Sequence, residues 1–317
     1  MNQLQCRICY NVDGNKIFST QEMMFGFRDS FTYIECVSCG TVQIEKIPSN
    51  IEKYYPSDYY SYAQDENAGI SFKDWRKGKV FQFNYGKKTI IGFLLAPFSS
   101  KPPLWMKKKY FNLNSKILDV GSGSGKLLLE MQRGGFKNLT GADPFIQANI
   151  EYGNGVTILK KAFTDIHEKF DCIMFHHSFE HMDNPEEIFN HLSGTLTEQG
   201  FALIRIPVAD SFSFRKYRQN WVNLDPPRHF YLHTDKSIEI LAHKAGLIIA
   251  DKFRDSNQFQ FYGSELYKNN IPLEDYNKGL YPDYFSKAQI RAFRKEAKRL
   301  NKMNEGDWAC YFLRKPV

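Results

Sequence analysis

Apolar and polar positions change rhythm along this chain. From residue 113 onward, short apolar runs alternate with stretches of helical spacing. KILDVG (116–121), LTGADP (139–144), VTILKKA (156–162), FDCIMFHH (170–177) and FALIRIPV (201–208) predict strands, joined later by LIIADKFRD (247–255) and WACYFLRK (308–315). Helices are expected to begin near Lys126, Phe145, Pro185 and Thr234. Asn184 reads as an N-cap, with Pro185 at the first helical position and Glu187 placed for a capping box. Such alternation predicts an α/β protein with a doubly wound, seven-stranded, mostly parallel sheet. A segment from about 264 to 306 separates the last two strands. Its SKAQIRAFRKEAKRLNKM reads as a basic amphipathic helix whose charged face is solvated or attracts phosphate.

Before residue 113 the pattern is different. Residues 51–66, IEKYYPSDYYSYAQDE, hold five tyrosines without a clear period and predict a linker lying against a folded surface. Segment 71–110 is basic, aromatic and helical in part. Three regions follow: 1–50, a linker over 51–112, and 113–317. Neither an internal repeat nor a low-complexity tract is visible.

Composition narrows the class. Of 317 residues, 42% are hydrophobic and 24% charged, the balance of a globular protein. The net charge of +7 favours anionic partners such as phosphates, nucleotides, nucleic acid or an acidic surface, or else marks a solvated basic face. The longest apolar run, TIIGFLLAPF, is too short for a membrane span of about twenty residues. The opening MNQLQCRICY carries no apolar core of a secretory signal. A cytoplasmic location is expected, and with it cysteines that are thiols or metal ligands.

Four of the six cysteines fall in the first forty residues, as Cys6-x-x-Cys9 and Cys36-x-x-Cys39. Two such knuckles supply the four thiolates of a tetrahedral structural zinc site. Gly40 suits the tight turn after the second pair. A segment of this length buries too little apolar surface to fold unaided, and zinc contributes on the order of 10 kcal/mol of folding free energy. Cys172 and Cys310 sit in apolar strand-like runs and read as core residues.

The stretch KILDVGSGSGKLLLEM, 116–131, is a strand, a glycine turn and a helix. It is not a P-loop, because Val120 occupies the first glycine position and Leu127 follows Gly125-Lys126. Nor does it fit G-x-G-x-x-G, since Lys126 holds the third glycine position. Asp119 ahead of the turn would repel a pyrophosphate and suits a ligand of positive charge. Asp119, Gly121, Gly123 and Gly125, with Ser122 inside the turn, form a D-x-G-x-G-x-G that resembles the first motif of class I S-adenosylmethionine-dependent methyltransferases. The resemblance implies a Rossmann-like fold and a role for Asp119 at the amino end of the methionine part. Asp143, followed by Pro144, ends the second strand, where an acid accepts both ribose hydroxyls or caps the next helix. The stretch AFTDIHEKFDCIMFHHSFEHMDNP is similar to the third- and fourth-strand region of these enzymes. There Phe163 and Asp165 are implied to flank the adenine. His176 and His177 lie at the carboxyl end of the fourth strand, where such sheets bind ligands.

The whole layout, from the cysteine pairs through YYPSDYYSY to WVNLDPPRHFYLHT, resembles a bacterial family of sugar and surface-polysaccharide methyltransferases. It implies a small-molecule or glycan acceptor of anionic character, such as a nucleotide-linked sugar. Sugar C-methyltransferases with a similar layout carry a Tyr-x-Glu-His cluster. PRHFYLHT has no glutamate beside a histidine, which weighs against C-methylation and leaves O- and N-methylation open. Histidine is the natural base near neutral pH. His229, Tyr231 and His233 alternate, so an extended segment points all three one way. His229 or His233 is the expected base, Tyr231 would orient the acceptor and Arg228 would hold its phosphate or carboxylate. His181 is a rival base, and loop-pinning hydrogen bonds are the alternative for the whole group. His167, His191 and His243 read as surface or packing residues. Tyr54, Tyr55, Tyr59 and Tyr60 either wall the acceptor site or pack the cysteine module. Two other functions stay open: an RNA methyltransferase that uses the zinc module and basic helix as a grip, and a non-catalytic binding module. Residues 1–50 hold four Lys/Arg against five Asp/Glu, a poor surface for nucleic acid.

Overall fold

The computed structural model describes residues 4–56, 72–85, 90–95, 103–106, 110–153 and 155–316. Tyr59 and Tyr60, two of the proposed wall residues, lie outside them. Strands β1 (Lys16–Gln21), β2 (Ser30–Glu35) and β3 (Val42–Ile44) form an antiparallel meander, with Lys16 opposite Glu35 and Glu35 opposite Val42. Segment 71–110 contains helices α1 (Phe72–Tyr85) and α2 (Ile90–Leu95).

The central sheet then begins. β4 (Lys116–Val120) is buried after its first residue and apolar there except for Asp119, as expected of a strand covered on both faces. Helix α3 (Lys126–Arg133) follows it, then β5 (Asn138–Ala142), β6 (Ile150–Tyr152), β7 (Val156–Leu159) and β8 (Phe170–His176). β4 pairs in parallel with both β5 and β8, and β5 with β7. The core of this half is built from residues such as Ile117, Leu118, Ile158, Ile173 and Phe175.

Near Phe145 the expected helix is absent. The Phe145 N–H donates to Asp143 Oδ1 at 2.9 Å, a local turn that competes with a helical start. Asn149 Oδ1 accepts from the Lys160 N–H, and β6 runs antiparallel to β7. This short edge strand is the eighth, added to the seven expected.

α4 (Pro185–Thr195) leads into β9 (Leu196–Pro207), and α5 (Phe212–Tyr217) precedes β10 (Tyr231–Leu232). Thr234 caps α6 (Asp235–Lys244) through a capping box with Ser237, and β11 (Ile248–Arg254) comes next. The insertion is helical: α7 (Phe259–Lys268), α8 (Leu273–Asn277) and α9 (Lys287–Lys302). α9 carries a Ser286–Gln289 capping box and buries only Ala297 and Leu300, so its basic face is solvated. β12 (Trp308–Arg314) completes the sheet in the order β11-β12-β9-β8-β4-β5-β7-β6. This is a Rossmann-like, mostly parallel arrangement.

The chain divides into two compact units. One comprises residues to Pro56, His177–Phe189 and Ile204–Tyr311; the other comprises Ser57–His176, Asn190–Leu203 and the C-terminal residues from Phe312. The cysteine module belongs to the first. β10 adds to its sheet, Tyr231 opposite Gln43 and Leu232 opposite Val42. The same unit has a core of Met23, Val222, Leu266, Tyr267, Ile271 and Leu273. Among the described residues no helix is long and apolar enough to cross a membrane.

Candidate functional site

The glycine turn lies in the second unit. Gly121, Gly123 and Gly125 have φ of 73°, 53° and 82°. A side chain at Gly125 would also place its Cβ 2.5 Å from Ile158 Cδ1. A side chain there would be strained by the positive φ and would force Ile158 to shift. Asp143 ties the turn to the neighbouring strand: its Oδ2 accepts the Gly123 N–H at 2.9 Å. Asp119 and Asp143 are both buried. Burial, reinforced by the nearby Asp143, pushes the Asp119 carboxyl up to about 8, and burial raises Asp143 against its two backbone hydrogen bonds. Two acids held in a dry turn are costly unless a cation meets them. Ser122 is in the turn with its hydroxyl buried and without a hydrogen-bond partner among the described residues. Pro144 is exposed, and so is Phe145, at 77%. That bare ring beside the acid is a candidate that sequence reading passed over, because an aromatic after Asp-Pro looks like any helix start.

Phe163 is buried edge-on to Phe175 and His191, in the core of the same unit. Asp165 is exposed in the short turn Phe163–Asp165. His191, expected at the surface or in packing, serves packing and bonds the Ile166 carbonyl at 2.7 Å.

In the first unit the four cysteine sulfurs converge, all as free thiols. Sγ–Sγ distances are 3.6 Å for Cys6–Cys39 and 3.5 Å for Cys9–Cys36. Zinc–sulfur bonds of about 2.3 Å put tetrahedral sulfurs about 3.8 Å apart, so these residues fit a zinc ion. Gly40 has φ 76° and its N–H closes the second knuckle on Cys36 O at 2.8 Å. Thr234 Oγ1 donates to Cys39 O at 2.6 Å, joining the knuckle to the cap of α6.

The same unit gathers a second polar cluster around Glu180, in the turn Phe179–His181. Glu180 is fully buried. Its Oε1 lies 3.5 Å from His177 Nδ1 and 3.9 Å from His229 Nε2. Burial pushes its carboxyl up, but the imidazoles of His177, His181 and His229 outweigh this and hold it at about 2. His229 Nδ1 is 2.8 Å from Asn223 O, and His181 Nδ1 is 2.8 Å from Arg228 O. His177, with φ 53°, receives an Arg205 N–H at 2.7 Å and stands edge-on to Trp308. Burial lowers the pKa of both His177 and His181.

The alternating trio does not share one direction. Tyr231 and His233 stack at 5.7 Å, whereas His229 turns to Asn223, Asp225 and Glu180. The reason is that regular strand geometry covers only Tyr231 and Leu232. Tyr231 is buried, donates to Asp183 O at 3.0 Å and accepts from Arg7. His233 is fully buried and stacks on Phe179; burial lowers its pKa to about 3. Arg228 does not present a free guanidinium to an acceptor. It is buried and donates to Glu22, Asp225 and Tyr54 O, so it pins its loop. Tyr54 packs between Phe27 and Phe31 and donates to Asp29, while Tyr55 lies 3.3 Å from His181 Nδ1. Glu180, Asn223 and Asp225 had no signal in the sequence beyond the Glu180-His181 pair, because long-range packing assembles them.

Residues 95–252 match a family described as a methyltransferase domain. EEF1A lysine methyltransferase 2 of Danio rerio is 39% identical over 54 residues, 17% of this chain and 23% of that protein. The chain thus spans under a quarter of that relative. Among solved structures it is similar to the cyclopropane synthase MmaA2 from Mycobacterium tuberculosis, at 14% identity over 78% of this chain and 95% of that one, TM-score 0.41. A SAM dependent methyltransferase from Archaeoglobus fulgidus gives 15% identity over 75% and 98%, TM-score 0.42.

Proposed function

The chain carries, over residues 95–252, a domain of a methyltransferase family with the class I S-adenosylmethionine-dependent fold, and from that premise we propose that it moves a methyl group from S-adenosylmethionine to a hydroxyl of an anionic small molecule or glycan, a nucleotide-linked sugar above all. The observation that carries the donor half is the buried pair Asp119 and Asp143 at a turn of three left-handed glycines. Their charge suits the ammonium and sulfonium of the donor, and Asp143 offers lone pairs to its ribose. Phe145 supplies a bare ring for the adenine, while Phe163, being core, supports the strand ends from behind.

Transfer is an in-line displacement. The acceptor oxygen bonds to the methyl carbon, the carbon–sulfur pair leaves with sulfur as a neutral thioether, and the hydroxyl proton goes to a base. Alignment supplies most of the acceleration. His229 is the base best supported: its Nδ1 faces a carbonyl, so that nitrogen holds the proton and Nε2 keeps a lone pair, with Glu180 and Asp225 near enough to stabilise the imidazolium. His181 is held in the same way and remains the rival. His233 and Tyr231 act by packing. The basic balance of the chain favours an anionic acceptor, whereas the acidic excess of residues 1–50 weighs against RNA.

A protein lysine is a second reading, favoured by the local similarity to the zebrafish lysine methyltransferase. Labelled S-adenosylmethionine offered with nucleotide sugars, glycans and lysine-bearing proteins separates the two. Label on a sugar hydroxyl supports the proposal. Label on lysine alone replaces it, and no donor binding at all would leave a non-catalytic module.

A further inference from the structure

Glu180 keeps its charge beside three imidazoles, yet none of them gives it a hydrogen bond. It is fully buried, and neither carboxylate oxygen has a hydrogen-bond partner among the described residues. A carboxylate removed from water without partners costs several kcal/mol. The nearest donor is His177. Arginine can only donate, so the Arg205 N–H on His177 Nε2 leaves that ring's proton on Nδ1, 3.5 Å from Glu180 Oε1. That is too long to satisfy the charge.

The other two imidazoles have the opposite polarity. Carbonyls only accept, so Arg228 O and Asn223 O fix protons on the Nδ1 atoms of His181 and His229. Each Nε2 is left as a bare lone pair. An imidazole whose outer N–H is tied to a carbonyl and whose inner nitrogen is free is the arrangement of a metal ligand with its outer shell in place. Glu180, His181 and His229 each offer one ligand atom within 4.8 Å of the others. Glu180 Oε1 and His229 Nε2 are 3.9 Å apart, against about 3.3 Å for two ligands of a tetrahedral ion with bonds of about 2 Å. Small side-chain rotations close that gap.

We propose that Glu180, His181 and His229 form a divalent transition-metal site, separate from the four-cysteine centre. Two imidazoles and one carboxylate suit zinc, cobalt, manganese or iron(II), and three protein ligands leave positions for water or an acceptor oxygen. The double positive charge answers the buried carboxylate. Asp225, with Oδ2 3.7 Å from His229 Nε2, adds negative field, although Arg228 holds both of its oxygens. With the ion in place His229 and His181 are ligands and no longer bases. Occupancy therefore displaces the metal-free proton transfer described above.

The test is a titration of the full chain with Co²⁺ after the four-cysteine site has been filled with zinc, followed by visible absorption and calorimetry. One further Co²⁺ per chain is expected, with ligand-field bands and no sulfur charge-transfer band. Glu180→Gln, which is nearly isosteric, and His229→Ala should each weaken it at least about tenfold. Their zinc content reports whether the fold has survived. Failure of the wild type to bind cobalt beyond the thiolate site, or unchanged affinity in Glu180→Gln, overturns the site. The titration reads metal and not turnover, so its failure leaves the methyl-transfer reading standing.

Discussion

Asp143 accepts the backbone N–H of Gly123 at 2.9 Å, so the acid at the end of one strand holds the glycine turn that follows its neighbour. The same carboxylate keeps Phe145 out of a helix through its other oxygen. Asp143→Ala therefore loses two turn bonds and, on the proposed reading, a group that binds the donor. Hydrogen bonds to a charged group are worth about 1.5–3 kcal/mol each. Calorimetry should show S-adenosylmethionine binding abolished in Asp143→Ala. Gly123→Leu should lose it too, because a left-handed φ costs a side chain about 1–2 kcal/mol and fills the turn. Unchanged affinity in both variants would mean that the donor binds elsewhere.

Asp119 should give the protein a pH signature. Its folded pKa, about 8, lies above the ordinary carboxyl value of 3.8, so the native state binds more protons between them. Stability without ligand then falls as pH rises through that window, by up to about 1.4 kcal/mol per unit from this one group. Affinity for a cationic donor moves the other way and climbs toward pH 8, since binding needs the carboxylate. Denaturant melts and donor titrations at pH 6, 7 and 8 should show both trends, and Asp119→Asn should flatten them.

The two histidines of the alternating trio should separate cleanly. His229→Ala is expected to lower kcat by about 10²–10⁴-fold with little change in donor affinity, the loss expected of a missing base. His233→Ala should instead lower the melting temperature while the folded fraction keeps its turnover. His233 is buried and its pKa is depressed to about 3, so it contributes stability above about pH 6.5 that is lost as the pH falls toward 3. Wild-type turnover in His229→Ala would pass the role to His181.

Zinc removal should loosen more than the first forty residues. β10 pairs with β3, and Thr234 bonds Cys39 O, so the cysteine module is continuous with the segment that carries His229. About one tightly held zinc per chain is expected at the thiolates. Chelation should speed hydrogen exchange in residues 30–44 and 230–237 together. Exchange confined to residues 4–44 would show that the module stands alone.

Arg228 offers a stability test. It is buried between Glu22 and Asp225, and breaking a buried pair from one side costs about 3–5 kcal/mol. Arg228→Leu should reach that range in urea melts.

What could be read before folding was local. The strand–turn–helix at 116–131, the cysteine knuckles and the Thr234 cap each lie within a few residues, where backbone sterics and ligand spacing leave little choice. Periodicity also predicted the strands, and β4, β5, β7, β8, β11 and β12 occur where apolar runs stood. It missed β6, because Asp143 and Asn149 spend their side chains on backbone N–H groups and no hydrophobic pattern records that.

Tertiary structure alone decided the roles of Arg228, His233 and Glu180. Arg228 stands beside His229 in sequence and looks like an anion clamp, yet Glu22, about two hundred residues away, takes its charge. Glu180 and His229 meet across about fifty residues of chain, and Asn223 O sets which nitrogen of His229 keeps its lone pair. Residue type specifies what a side chain can donate or accept. Which partner reaches it first depends on burial and on chain segments that only folding brings together.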